Sequence, residues 1–218
     1  MKQVHKFWFP DYEEHFPRML DKSLRNTGIL RYQWEAREFA ISQCKNKRIC
    51  IDIGANVGLW SCELVNYFDQ VVIFEPVLEF IECLKKNVTK NNYLINQVAL
   101  GREESLIEMI IDRSNSGHSH IDTLSIGKGT IPLKRLDSFN YKNVDLIKID
   151  VEGFEEEILF GAETTIKENK PVLVVEQRDH EYKKAMLSLP SIKILESWGY
   201  VPVQKFSKDW VLKYKDVL

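Results

Sequence analysis

The sequence predicts a Rossmann-like α/β domain: a mostly parallel sheet with helices on both faces and one antiparallel strand. Three observations carry this. From residue 48 onward, short apolar runs alternate with stretches of helical period. Most of those runs are continuous rather than alternating, as in strands covered on both faces. Near the end of the chain, two strand-like runs flank a short turn, which predicts a hairpin and an antiparallel edge strand.

Residues 1–47 read as a polar, aromatic-bearing lead-in with two helical stretches. The second, QWEAREFAISQCK, sets Trp34, Phe39, Ile41 and Cys44 loosely on one face. RICIDIG is a buried strand ended by glycine, and GLWSCELVNYF follows with helical period. QVVIFEP is a second strand, closed by proline. VLEFIECLKKNVTKN is a helix with Val77, Phe80, Ile81 and Leu84 on one side. Its lysines come late, where the helix dipole favours them. LINQVAL is a third strand; SLIEMIID and GTIPLKRL are peripheral or hairpin strands. VDLIKIDVEG is another buried strand, and FEEEILFGAETTIKEN a helix whose early glutamates suit its positive end. PVLVVEQ is a fifth buried strand and SIKILESWGY a helix. YVPVQKF and DWVLKYK form the closing hairpin. The chain thus divides into a helical lead-in over 1–47 and one globular unit over 48–218.

A chain of 218 residues can bury a full α/β core. Hydrophobic residues at 44% and charged residues at 28% exclude a disordered chain. A net charge of -2 gives no basic face for a nucleic-acid backbone, so no nucleic-acid partner is expected. No apolar run nears the roughly 18 residues of a membrane span, so no membrane partner is expected either. The opening residues lack the apolar core of a signal peptide. Cys44, Cys50, Cys62 and Cys83 match neither a zinc pattern nor a disulfide framework. Free, packed thiols suit a reducing, cytoplasmic location.

The stretch CIDIGANVG carries the first functional signal. Gly54 and Gly58 allow positive φ or a close backbone approach to a ligand. The turn lacks both the dinucleotide and the P-loop spacing, so it offers no phosphate cradle. Asp52 would repel a pyrophosphate but accept a hydrogen bond from an ammonium or favour a nearby cation. Glu75 lies 23 residues further on, near the spacing of about 20 at which an acid binds both hydroxyls of a ribose. A nucleoside with a cationic sulfonium, an amino-acid tail and no phosphate fits this set: S-adenosylmethionine.

IDIGANVGLWS, VVIFEP, LKRLDSF, DLIKIDVEGFEEEILFGA and VLVVEQ occur in order over roughly residues 48–206. Together they resemble the FkbM family of S-adenosylmethionine-dependent methyltransferases. The resemblance implies the class I methyltransferase fold, a seven-stranded sheet of order 3-2-1-4-5-7-6 with strand 7 antiparallel. It also implies O-methylation, often of sugar or polyketide hydroxyls, with S-adenosylhomocysteine as product. Asp52, Gly54, Asn56 and Gly58 match the first cofactor motif and Glu75 the ribose acid. Gln97, Val98 and Ala99, at the third strand's end, are where the fold usually meets adenine. The loop SNSGHSH lies where relatives carry small polar residues, and the resemblance assigns no role to His118 and His120.

Methyl transfer from a sulfonium needs an aligned acceptor and excluded water, and an alcohol acceptor must also lose a proton. Lys148, Asp150 and Glu152 alternate, so an extended chain keeps them on one side. Asp150 is expected to orient or deprotonate the acceptor hydroxyl with Glu152 in support; the alternative is that both cap the turn and helix that follow. Lys148 has a structural alternative as an ion-pair partner of either acid. Glu176 binds substrate or pairs with Arg178. His118, His120 and Asp122 alternate as metal ligands can, yet no further ligands are evident. A divalent metal is conceivable among so many carboxylates, but none is expected. Trp34 is expected to pack against the sheet edge, the alternative implied by the family resemblance being a lead-in helix that closes over the cofactor, and Trp60 is expected in the core.

The expected acceptor is a small molecule or glycan, and loop residues 112–130 with the N-terminal 47 residues are expected to shape its pocket. A nucleic-acid or protein methyltransferase is the alternative, but DVEG stands where amino-group enzymes carry (D/N)PP(Y/F), and no Pro-Cys dipeptide occurs. A nicotinamide oxidoreductase would need the missing phosphate turn. A non-catalytic module of the same fold is the third alternative.

Overall fold

In the computed structural model, which describes residues 1–177 and 191–217, the chain opens with β1 (Lys2–Val4), β2 (Phe7–Phe9), α1 (His15–Thr27) and α2 (Trp34–Gln43). It continues with β3 (Ile49–Ile53), α3 (Ser61–Leu64), β4 (Gln70–Phe74), α4 (Leu78–Asn87), β5 (Tyr93–Asn96), β6 (Ala99–Leu100), β7 (Ser105–Ile110), β8 (His120–Asp122) and β9 (Ile131–Lys134). The last part holds β10 (Val144–Ile149), α5 (Glu155–Gly161), α6 (Glu163–Asn169), β11 (Val172–Glu176), α7 (Ser191–Ser197), β12 (Tyr200–Phe206) and β13 (Asp209–Tyr214).

Among the described residues, the main sheet has seven strands in the order β12-β13-β11-β10-β3-β4-β5. In order of use along the domain this is the 3-2-1-4-5-7-6 arrangement read in reverse. The strands from β11 to β5 pair in parallel; β13 is antiparallel to both neighbours. Alternation along each strand feeds two cores. Ile51, Ile53, Val72, Phe74, Ile147 and Val175 pack under α5, α6 and α7. Cys50, Val71, Ile73, Leu146 and Val174 pack on the other face with Ala36 and Ala40 of α2 and Trp60. Each wholly buried isoleucine or leucine contributes about 1.5–3 kcal/mol, which is why runs so apolar end up in the centre.

The structure corrects several expectations. The antiparallel strand is not at the edge: β13, with Val211 and Leu212 fully buried, lies inside, and the half-exposed β12 takes the edge. Pro202 explains the preference, since it has no N–H to donate and the register shifts just after it. LINQVAL is not one strand. Its first part joins the main sheet as β5, and after Gln97 and Val98 the chain crosses to a second, four-stranded sheet of order β6-β9-β7-β8. The helix expected over 154–169 breaks into α5 and α6 at Ala162. Gly161 passes so close to Gly101 that a Cβ there would lie 1.9 Å from its carbonyl oxygen. GLWSCELVNYF forms only a short helix over Ser61–Leu64. The lead-in also holds a β1–β2 hairpin that periodicity did not predict. The four cysteines are free, as expected. No helix among the described residues is long and apolar enough to cross a membrane.

Candidate active site

One cavity of about 760 Å³ opens at the carboxyl ends of β3, β4, β10 and β11. The turn after β3 forms its floor. Gly54 has φ +74, and a Cβ there would stand 2.0 Å from the Asp150 carbonyl oxygen. Only glycine fits that cradle. Asn56 also takes a left-handed φ of 51, which an asparagine tolerates. Its N–H donates to Glu75 Oε2 at 2.8 Å, and Val77 N–H donates to Oε1 at 2.9 Å. Both glutamate oxygens are thereby aimed, with lone pairs left for a ligand. Val98 and Ala99 line the cavity with Phe80 and Leu100; Gln97 is exposed and is not among the lining residues.

Two residues of the glycine motif do different work from that expected. Asp52 is wholly buried beneath the cavity rather than facing it. Its Oδ2 accepts from Ser61 Oγ at 2.6 Å and its Oδ1 lies 3.3 Å from Lys148 Nζ. Lys148 is its direct neighbour on β10, so register alone makes the pair. Gly58, φ +82, is needed for packing: a Cβ would stand 2.8 Å from Leu84 Cγ. The carboxylate read as a partner for the ligand's cation is therefore the foundation of the floor.

Lys148 ties floor to wall. Its ammonium donates to the Gly54 carbonyl at 3.1 Å and lies 3.7 Å from Asp150 Oδ2. Burial alone would lower its pKa, but Asp52 and then Asp150 outweigh burial and hold it above the usual lysine value. Past Asp150 the chain is no longer extended. Glu152 has φ 61 and Gly153 φ 105, and Glu155 holds this turn by accepting the Gly153 N–H at 2.9 Å. The capping role thus falls to Glu155. The turn brings one oxygen each of Asp150, Glu152 and Glu176 within 4.8 Å of one another. Glu176 also lies 3.9 Å from Lys208 Nζ; the alternative partner Arg178 is outside the described residues.

The N-terminal segment and the 112–130 loop, expected to shape the pocket, line much of the remaining wall, mostly through side chains that the sequence did not single out. The polar side of α1, with Lys22, Ser23 and Asn26, lines the cavity, as do Arg31, Tyr32 and Trp34. Trp34 is half-buried on this wall, not packed on the sheet edge, with the Arg31 guanidinium 4.4 Å from its ring centroid. Trp60 is in the core as expected, and its indole N–H also meets Gln33 at 2.6 Å. Buried Glu13 pins this wall down: it accepts the Phe16 N–H of α1 and, at 2.6 Å, the Ser116 N–H of the loop opposite. His118 lines the cavity mouth; His120 is not among the lining residues, and among the described residues the two do not form a metal-ligand group. Asp209, at the start of β13, was also missed; it stands opposite Glu176 inside the cavity.

Burial pushes the carboxyl groups of Glu75 and Asp209 up to about 7. Backbone N–H bonds from Val77 and Asn56 pull Glu75 partly back, while Asp150 adds to the rise at Asp209. Both acids ionise more readily in the unfolded chain. Their protonated forms thus favour the fold at low pH, and that advantage is lost as pH climbs from the ordinary values of 4.5 and 3.8 through about 7. A Glu75→Gln/Asp209→Asn variant removes both ionisations. Its melting temperature relative to the wild type should rise between pH 5 and pH 8 without ligand, at about 1.4 kcal/mol per pK unit relieved. A flat difference across that range, by scanning calorimetry, would contradict the burial argument.

A family model described as the methyltransferase FkbM domain matches residues 52–202. The curated Methyltransferase 1 of Beauveria bassiana (strain ARSEF 2860) is 26% identical over 141 residues, 51% of this chain and 57% of the relative. The chain thus spans little more than half the length of that relative. Among solved structures, the methyltransferase FkbM from Methylobacillus flagellatus KT aligns over 93% of this chain and 72% of its own, with TM-score 0.50 and 14% identity. A methyltransferase from Geobacter sulfurreducens aligns over 94% and 90%, with TM-score 0.52 and 10% identity. At such identities the likeness establishes the fold, that of class I methyltransferases.

Proposed function

The chain belongs to the FkbM methyltransferase domain family, and from that premise we propose that it methylates a hydroxyl of a sugar, glycan or other small metabolite with S-adenosylmethionine as donor. The observation that carries this is Glu75, a carboxylate only 4% exposed, aimed by two backbone N–H groups into a cavity floored by a turn that admits no Cβ. A buried acid with free lone pairs beside a close-approach turn suits a ribose diol and an uncharged nucleoside. When bound, the donor supplies an activated methyl group on a cationic sulfur.

The residues of the chain divide the remaining work. Glu75 and the Asn56 turn hold the nucleoside; Phe80, Val98 and Ala99 offer its base an apolar wall. Lys148 fixes Asp150 against the Gly54 carbonyl, so the acceptor end is held to the cofactor floor by one side chain. Asp150 orients the acceptor hydroxyl and, with the carboxylates around it, draws off the proton. α1 and Trp34 close the outer wall and exclude water. The polar lining from α1 suits a hydroxylated acceptor.

Asp150→Asn tests the division. General-base or orienting roles are worth about 10²–10⁴-fold, so kcat with an accepted substrate should fall at least 100-fold. The dissociation constant for S-adenosylmethionine should stay within about threefold. Full turnover in this variant would remove Asp150 from the reaction.

A further inference from the structure

We propose that Glu13 is a positioning residue: it couples the donor end of the cavity to the wall built by α1, so that a nucleoside bound at Glu75 tightens the wall that faces the acceptor. This rests on the methyl-transfer reading, which puts the nucleoside on Glu75. Glu13 lies just ahead of α1 and is wholly buried. Its Oε1 accepts the N–H groups of His15 and Phe16 at 2.6 and 2.9 Å. These are first-turn donors, which have no partner within the helix. Its Oε2 accepts the Ser116 N–H at 2.6 Å, from a loop 103 residues further along the chain. Stripping a donor from a buried carboxylate is costly. One side chain therefore favours α1 and the loop docked together.

Ser116 is also wholly buried, and the donor turn holds it from its other side. Asn56 Nδ2 donates to the Ser116 carbonyl at 3.0 Å, and Ser116 Oγ lies 3.4 Å from Asn56 Oδ1. With its left-handed φ of 51, Asn56 faces two ways: its side chain meets this loop while its backbone N–H meets Glu75. A hydrogen-bonded path thus runs from Glu75 through Asn56, Ser116 and Glu13 to the start of α1.

Packing supplies a second link, independent of the carboxylate. A Cβ on Gly117 would stand 3.1 Å from Phe16 Cζ, so the loop rests directly on the first turn of α1. Phe16 in turn meets Tyr32 edge to face, with ring centroids 5.2 Å apart. Gly117, Phe16 and Tyr32 all line the cavity. A shift of the loop is therefore passed to the aromatic wall, because close-packed side chains transmit displacement. A ribose on Glu75 fixes the acceptor of the Asn56 N–H, and the loop and α1 are fixed with it. The acceptor is then aligned against a wall that is firm when the donor is in place.

The test is amide hydrogen exchange across α1 in the whole chain, with and without saturating S-adenosylhomocysteine. In the wild type the ligand should slow exchange at Leu20 and its neighbours in α1 by about tenfold. Glu13→Gln should lose that slowing, since an amide cannot accept from both segments without turning its own NH₂ on one of them. Asn56→Asp should lose it too: it keeps an acceptor for the Val57 N–H but sets a carboxylate oxygen against the Ser116 carbonyl. Circular dichroism checks both folds, and either variant that folds and binds the ligand decides. A merely structural Glu13 would change exchange equally with and without the ligand. S-adenosylhomocysteine bound with α1 exchange unchanged in the wild type would overturn the coupling and leave the methyltransferase reading standing. So would the same slowing in the variants as in the wild type. Folded wild type that binds no S-adenosylhomocysteine would sink the cofactor assignment, and the coupling with it.

Discussion

Glu75→Ala should weaken S-adenosylmethionine binding at least 100-fold in a protein that still folds. Two effects add. A carboxylate that accepts from both hydroxyls of a ribose makes two charge-assisted hydrogen bonds, each worth about 1.5–3 kcal/mol. Loss of both is about 3–6 kcal/mol, or about two to four powers of ten. The same carboxylate aims the turn, because Asn56 N–H and Val77 N–H both end on it. Without it the Asn56 N–H loses its acceptor, while Gly54 and Ala55 stay bonded to the Phe74 carbonyl. The fold itself should survive, since removing a buried acid whose ionisation burial opposes relieves a cost. Isothermal titration of wild type and variant, with circular dichroism for the fold, gives the comparison. An affinity within threefold of the wild type would show that Glu75 does not touch the ligand.

Lys148→Met should be the most destabilising of the substitutions considered. Asp52 is wholly buried, and Lys148 is the cation that compensates it. Removing one partner of a buried ion pair costs about 3–5 kcal/mol because the other charge is left stranded. That is a large share of the roughly 5–15 kcal/mol that holds a domain together. At about 2–4 °C per kcal/mol for a chain of this size, the melting temperature should drop by about 10 °C. The Gly54 carbonyl would also lose its donor, so cofactor affinity should fall with stability. Adding Asp52→Asn should restore part of the loss, because an amide keeps the Ser61 contact without a stranded charge. A loss below about 1 kcal/mol in the single variant, by urea denaturation, would contradict the pairing.

The central strands were legible because their burial leaves no choice. Cys50–Ile53 and Val144–Ile149 put apolar residues on both faces, broken only by Asp52, Asp145 and Lys148, and such runs suit a strand covered on both faces. Gly54 and Glu75 were legible because a tight turn and an acid at that spacing are rarely accidental. Asp52 was misread for a physical reason. Its partner Lys148 is 96 residues away in the chain, and only the strand register brings the two together. The α1 wall was expected only as part of the N-terminal segment, without named residues, because a polar helix face turned to a cavity is written in the same residues as one turned to solvent. Asp209 sits beside the hairpin turn, where an aspartate is commonplace. Nothing local says that this turn folds back over a strand end. The left-handed Glu152 is likewise invisible to periodicity, which treats Lys148, Asp150 and Glu152 as one extended face.

The most direct measurement is isothermal titration of the wild-type protein with S-adenosylmethionine and S-adenosylhomocysteine, with NAD as the comparison ligand. A buried ribose acid, a turn that admits no Cβ at Gly54 and the absence of a phosphate cradle predict micromolar binding of the first two and none of NAD. Well-folded protein that binds neither sulfur compound, or that binds NAD instead, would contradict the cofactor assignment.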